Sequence, residues 1–163
     1  MSPITFPVAE GQLPLYYNHK PTGRGDDYVD LTGQPLFPFG FGLSYTTFEY
    51  SALTIEPAAM DARETAQVRC TVKNAGTRAG DEVVQLYLRD VLASVARPVM
   101  ELKGFQRVHL EPREERVVSF TLAREQLQML DRNLHWVVEP GLFRVLIGGS
   151  SRDIRLRGDL TVR

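Results

Sequence analysis

The sequence predicts an all-β fold: an antiparallel β-sandwich over residues 48–163, preceded by an irregular N-terminal extension. Three observations predict it. From Phe48 onward, apolar and polar residues alternate with a period of two, the signature of strands with one buried face. Turn-forming clusters interrupt that alternation at short intervals. Residues 1–47 have another texture, with six prolines, six glycines and no sustained period.

The elements follow in order. Within residues 1–47 the only strand-like piece is 13-LPLYYN-18. Phe48 and Tyr50 start the first sandwich strand. In 65-TAQVRCTVKN-74, Ala66, Val68, Cys70 and Val72 share one face. The run 74-NAGTRAG-80 is turn chemistry, since Asn and Gly tolerate positive φ. A strongly β-prone strand, 81-DEVVQLYLRD-90, comes next. Another follows at 102-LKGFQRVHL-110, with a bulge expected near Gly104. The turn 111-EPRE-114 leads to 115-ERVVSFTL-122, whose Val118, Phe120 and Leu122 face inward. Leu127 and Leu130 give 124-REQLQMLDRN-133 helical spacing, so a short helix or a loop with a helical turn is expected there. After the turn 139-EPG-141, Phe143, Val145 and Ile147 of 142-LFRVLIG-148 face the core. The last strand, 153-DIRLRGDLTV-162, places Ile154, Leu156, Leu160 and Val162 on one side. About seven strands with frequent turns make a sandwich of immunoglobulin or fibronectin III type.

Composition narrows the function classes. The chain has 163 residues, 43% hydrophobic and 24% charged, which suits one domain with a buried core rather than a disordered chain. A net charge of -1 suggests neither nucleic acid nor an anionic membrane as partner. The basic residues near the end, Arg144, Arg152, Arg155, Arg157 and Arg163, alternate with apolar residues and acids and read as the wet face of strands. A single cysteine, Cys70, excludes an internal disulfide. No apolar run is long enough to span a membrane. No secretory leader follows Met1, so either the protein is cytoplasmic or its true N-terminus lies elsewhere.

A scan for an autonomous active site finds none. Hydrolytic triads need a nucleophile, a base and an orienting acid. The three histidines are His19, His109 and His135, and no nucleophile elbow is present. His109 sits between Val108 and Leu110 and reads as a solvent-facing strand residue. The acidic run 26-DDYVD-30 lacks the regular oxygen-ligand spacing of a calcium loop and reads as a solvated loop. No metal site and no cofactor are expected. Arg24-Gly25-Asp26 is an integrin-recognition triplet, a pattern too short to carry a function. Carboxylate pairs abound, but sequence selects none of them.

One segment stands apart. In 35-PLFPFGFGLSYTTFEYS-51 six of the residues are aromatic and only Glu49 is charged. The prolines restrict the backbone, the glycines permit tight turns, and each ring carries large buriable area. Nothing in it does acid–base work near neutral pH. It reads as a packing strap, within the chain or against a partner domain.

The same residues carry a resemblance. The stretch 37-FPFGFGLSYTTFEYS-51 resembles the entry to the fibronectin III-like C-terminal domain of glycoside hydrolase family 3. Upstream, 11-GQLPLYYNHKPTGR-24 is similar to the last strand of that family's α/β-sandwich domain and the loop beyond it. Downstream, 72-VKNAGTRAGDEVVQLYL-88 and 90-DVLASVARPVMELKGF-105 resemble the domain's own strands, the latter in the branch of periplasmic bacterial β-glucosidases.

The resemblance implies a parent that is a retaining exo-β-glucosidase or β-xylosidase, periplasmic or secreted. It also implies an inert C-terminal piece. The family's nucleophilic aspartate belongs to an N-terminal barrel, in a Ser-Asp-Trp-like motif that this chain lacks. Its acid/base glutamate lies upstream of everything here. Residues 1–34 would then be a remnant of the α/β domain and its loop, 35–47 an aromatic linker, and 48–163 the sandwich. The expected partners are the upstream catalytic domains, with Phe37, Phe39, Phe41 and Tyr45 as interface anchors. Self-association through exposed aromatics is a further expectation. Arg24, Asp26 and Asp27 fall in a loop near the substrate mouth of such enzymes, although Gly25-Asp26-Asp27 departs from the family's usual Pro and aromatic. Phe41 stands where the family commonly has Tyr. The rival reading is a standalone module that binds carbohydrate or protein, which would need aromatic rings exposed in a row on the sandwich.

Overall fold

The computed structural model describes residues 1–21, 27 and 30–163. Two sheets pack face to face. The smaller has β1 (Phe48–Glu56), β3 (Ala66–Asn74) and β6 (Glu115–Leu122), in the order β1-β3-β6. The larger has β2 (Ala59–Met60), β10 (Ile154–Val162), β9 (Gly141–Gly148), β4 (Gly80–Asp90) and β5 (Glu101–Leu110), in the order β2-β10-β9-β4-β5. Every pairing in these two sheets is antiparallel except the short β2 beside β10, where Thr161 and Val162 run parallel to Ala59 and Met60. A separate ribbon pairs β7 (Met129–Leu130) with β8 (Trp136–Val137).

Period-two patterning explains the core. Ala66, Val68, Cys70 and Val72 of β3 are buried, as are Val118, Phe120 and Leu122 of β6. They pack with Val84, Leu86 and Leu88 of β4 and with Phe143, Val145 and Ile147 of β9. Each buried Val, Leu, Ile or Phe among them contributes about 1.5–3 kcal/mol. Leu160 and Val162 are buried as expected, while Ile154 and Leu156 are only half-buried beside a register shift in β10. The bulge in β5 falls next to Gly104, where the register slips between Leu86 and Tyr87. A Cβ at Gly104 would come within 2.9 Å of the Phe120 ring, so the bulge brings the backbone close to the core.

One expectation needs correction. The stretch 13–18 is not a strand: a 3-10 turn, Glu10–Gln12, precedes it, and Tyr17 and Asn18 form a turn. Among the described residues no neighbouring strand offers it a ladder, and Pro14 has no N–H to donate. In 124–133 the expected short helix or helical turn is present as α1 (Arg124–Leu127). Leu127 is buried against the core, but Leu130 enters β7 opposite Trp136 and is exposed. One apolar pair at helical spacing could not outweigh strand pairing.

The alternation breaks in the middle of the larger sheet. Val84 to Leu88 are buried without interruption, as are Val145 to Gly148. Gln85 and Tyr87 point away from the core cluster, yet both are fully buried. Segments within residues 1–21 and 30–47 cover them, through Gly40 on Gln85 and Tyr17 on Tyr87, and form a third layer on the outer face of the sheet.

Candidate functional site: the extension and its exposed face

The third layer is assembled from two chain segments that run side by side. Phe6 donates its N–H to Phe37 O at 2.9 Å, and Leu36 N–H donates to Phe6 O at 2.9 Å. Ser2 N–H reaches Phe41 O at 2.6 Å, and Gly40 N–H reaches Ser2 O at 2.8 Å. Buried Gln12 joins the same segments through its side chain. Its Oε1 accepts from Val8 N–H at 2.5 Å, and its Nε2 donates to Thr32 O at 2.8 Å and Gln34 O at 3.1 Å.

Gln85 fastens this layer to the sandwich. Its Nε2 donates to Gly40 O at 3.3 Å and Gly149 O at 2.5 Å, while its Oε1 accepts from the Tyr87 hydroxyl at 2.5 Å. Gly40 has φ +84, and a Cβ there would lie 2.3 Å from Gln85 Oε1, so both conformation and space require glycine. Beside this polar plug the rings stack. Tyr17 lies on Phe39 at 4.3 Å between centroids and meets Tyr87 edge-on at 5.7 Å. Tyr17 Oη also accepts from Leu102 N–H at 3.2 Å, and Phe39 O accepts from Ser151 N–H at 2.9 Å. Further along, buried Asn74 takes the Thr46 hydroxyl at 2.6 Å and donates to Arg78 O and Leu110 O.

The four expected anchors separate into two pairs. Phe39 is spent on the sandwich through Tyr17. Phe41 is half-buried against Phe37, with centroids 5.0 Å apart. Phe37 touches Phe6 edge-on and keeps 40% of its surface exposed. Tyr45 and its neighbour Leu43 are each 91% exposed. Ile4, Phe6, Val8 and Leu36 are also exposed, so the outer side of the layer is apolar. The sequence carried a second signal for this face that aromatic content alone does not give. Residues 31–48 contain no charged side chain, and residues 1–18 contain only Glu10. Interface cores are depleted in charge in this way.

Of the loop residues, Arg24 and Asp26 lie outside the described residues, as does Gly25 of the same triplet. Asp27 Oδ1 accepts from Gly33 N–H at 3.0 Å and the Thr32 hydroxyl at 3.3 Å, an arrangement that closes a turn. His109 is solvent-facing, held by Asp81 at 2.8 Å. His135 Nδ1 lies 3.9 Å from Asp131 on the exposed ribbon turn. Arg97, from the stretch before 101-ELKGF-105, pairs with Asp90 at 3.2 Å and Glu101 at 2.7 Å and donates to Leu127 O. Burial alone would raise the Glu101 carboxyl; Arg97 and Lys103 outweigh it and hold it below its ordinary range.

A groove of about 430 Å³ lies between the linker and the sandwich, lined by Gly42, Leu43, Thr46, Glu82, Asp153 and Arg155 among others. Its three carboxylates are occupied. Asp81 pairs with Arg107 and His109. Glu82 Oε1 accepts from the Tyr50 hydroxyl at 2.6 Å, and Arg155 donates to both oxygens of Asp153 at 2.5 and 2.9 Å. Burial lifts the Glu82 carboxyl above its ordinary value, although Tyr50 and Arg155 pull it down. Burial and Glu82 push the Tyr50 phenol upward. The arrangement ties β1, β4 and β10 together and leaves no free acid–base pair. Among the described residues, no group of three or more His, Cys, Asp or Glu could hold a metal ion. No described helix is long and apolar enough to cross a membrane.

Residues 82–151 match the pattern of the fibronectin type III-like domain. Outside that core the similarity continues. The chain is 51% identical over 169 aligned residues to β-glucosidase BoGH3A of Bacteroides ovatus, covering 94% of this chain and 23% of the relative. It is 42% identical to a periplasmic β-glucosidase of Salmonella typhimurium, covering 94% of this chain and 21% of that enzyme. The solved β-glucosidase EmGH1 of Erythrobacter marinus superposes with a TM-score of 0.92 at 44% identity, over 98% of this chain and 21% of that one. The chain thus spans about a fifth of the length of the relatives it matches. It is a fibronectin type III-like β-sandwich homologous to that portion of the β-glucosidases and β-xylosidases of glycoside hydrolase family 3.

Proposed function

We propose that this chain is the non-catalytic C-terminal accessory domain of a retaining exo-β-glucosidase, and that it stabilises and orients the catalytic domains. The observation that carries this reading is the face built by residues 1–18 and 31–47. It is apolar, nearly free of charge and anchored on a complete sandwich, yet its outermost side chains, Leu43 and Tyr45, are 91% exposed. Large exposed apolar patches mark interaction sites. In relatives the matching segment belongs to a chain about five times longer, which supplies an occupant. Residues 1–34 are then the edge of the α/β domain, 35–47 the linker and 48–163 the accessory sandwich. Phe37 and Tyr45 reach the catalytic domains, while Phe39 and Phe41 hold the linker in place. The loop with Arg24, Asp26 and Asp27 lies near the substrate mouth. The parent works in the periplasm or outside the cell, as the name of the Salmonella relative supports.

The reading predicts that the purified chain does not hydrolyse a chromogenic β-glucoside, and that it binds the amino-terminal four-fifths of BoGH3A prepared without its own accessory domain. Turnover that copurifies with the chain after host glycosidases are removed would sink the claim of inertness. Absence of binding would sink the accessory role. The rival sugar-binding module draws little support: the exposed rings on the sandwich, Phe105 and Trp136, sit on separate elements and form no row.

A further inference from the structure

A second apolar patch lies at the other end of the molecule. The linker tip sits where β4 begins: a Cβ on Gly80 would come within 2.9 Å of Thr46, and Leu43 shares the groove with Asp81 and Glu82. Where β4 ends, Val91 N–H donates to Leu142 O and the loop continues through Leu92. β4 has 11 residues, so the two poles are roughly 33 Å apart at the rise of an extended strand.

The far pole consists of the 91–94 loop and the β7–β8 ribbon. Leu130 and Trp136 are directly opposed across the ribbon and so share a face. Leu134 forms the tip of its turn. Ser94 ties the loop to the ribbon: its N–H and hydroxyl both donate to Glu139, and its carbonyl accepts from Arg132 at 3.3 Å. Asp131 braces the turn by accepting from Asn133 and His135 N–H at 2.7 and 2.9 Å. On this rigid base the apolar side chains project outward, with Leu92 84%, Leu134 76%, Trp136 57% and Leu130 41% exposed. Leu134 also holds φ 64, a left-handed conformation that a bulky residue rarely adopts and that glycine or asparagine would occupy without strain. A strained leucine that is also exposed is opposed by both local conformation and solvation. A contact that buries it would offset both costs.

We infer that this pole is a two-fold contact with a second copy of the chain. Three observations favour that occupant. The patch offers roughly 500 Å² of apolar surface per copy at about 180 Å² per large side chain, so two copies together reach the roughly 1,000 Å² of a specific interface. The net charge of -1 opposes association of like copies only weakly. The rim carries both signs, Arg124 and Arg132 beside Asp131 and Glu139, as an isologous contact that sets unlike charges against each other requires. The inference is independent of the proposed function: the linker face at the opposite pole stays free in such a dimer.

Sedimentation equilibrium of the 163-residue chain tests it. A concentration-dependent dimer is expected, weakened at least tenfold in Leu92→Ser/Leu134→Asn and unchanged within about twofold in Leu43→Ser/Tyr45→Ser. Unfolding curves of both variants show that they fold; Leu134→Asn relieves the turn and preserves stability. The assignment is overturned if the chain stays monomeric at about 100 μM, if the dimer survives the first variant, or if only the second dissolves it. A monomeric chain that adheres to insoluble β-glucan through Trp136, and loses that adhesion in Trp136→Ser, would also overturn it by making the pole a sugar platform.

Discussion

Replacing Gln85 by leucine tests how the extension is held. The side chain is 0% exposed and uses both ends of its amide. Leucine is close in size but carries no polar atom, so Gly40 O, Gly149 O and the Tyr87 hydroxyl lose their partner together. A buried polar group left unsatisfied costs about 1–3 kcal/mol. Partial relaxation toward water at the groove reduces the sum, and about 3–5 kcal/mol is expected for Gln85→Leu. That is a large share of the about 5–15 kcal/mol that stabilises a domain. It corresponds to a melting temperature lowered by roughly 6–20 °C at this chain length. Urea unfolding followed by circular dichroism gives the magnitude. Limited proteolysis gives the place, with cleavage expected first in residues 13–21 and 35–47 while the sandwich resists. A loss below about 1 kcal/mol, or proteolysis unchanged in both segments, would refute the claim that this amide fastens the third layer.

Two further outcomes follow from buried titratable groups. Burial pushes the Cys70 thiol up to about 11. The native chain should therefore resist a thiol reagent at pH 8 and release one equivalent per chain only on denaturation; fast native labelling would contradict the packing of β3 against β6. Glu82 has its folded pKa raised, chiefly by burial. The folded state then binds this proton more tightly than the unfolded one, so the contribution is favourable in acid and is lost as pH rises through the folded pKa. Glu82→Gln keeps an acceptor for Tyr50 and should raise the melting temperature at pH 7, with the gain gone below about pH 4. A gain that grows toward acid would reverse the assignment.

Much of the sandwich was legible because half-burial writes itself into alternation. Ala66, Val68, Cys70 and Val72, or Val118, Phe120 and Leu122, needed no knowledge of their partners. What stayed hidden depended on a third layer. The run 83-VVQLYL-88 has the composition of a strand buried on both faces, but Gln85 inside it gives no sign of a buried amide until Gly40 and Gly149 meet it. The two-residue strands β2, β7 and β8 are too short for periodicity to register. The linker was legible as a strap from its rings and prolines. Which rings turn inward was not, because that depends on Tyr17, about twenty residues away, stacking on Phe39. The charge-free run 31–48 was in plain view and is the better sequence signal for an interface.

The central claim is that the outer side of residues 1–18 and 31–47 is covered by catalytic domains. Hydrogen exchange of the chain, alone and mixed with the amino-terminal four-fifths of BoGH3A, tests it most directly. The account predicts slowed exchange on mixing at the amides of Leu43, Ser44 and Tyr45 and around Phe6 and Phe37, with the ribbon around Leu134 unchanged. Binding that protects only the ribbon, or that leaves 35–47 as exchangeable as in the chain alone, would contradict it.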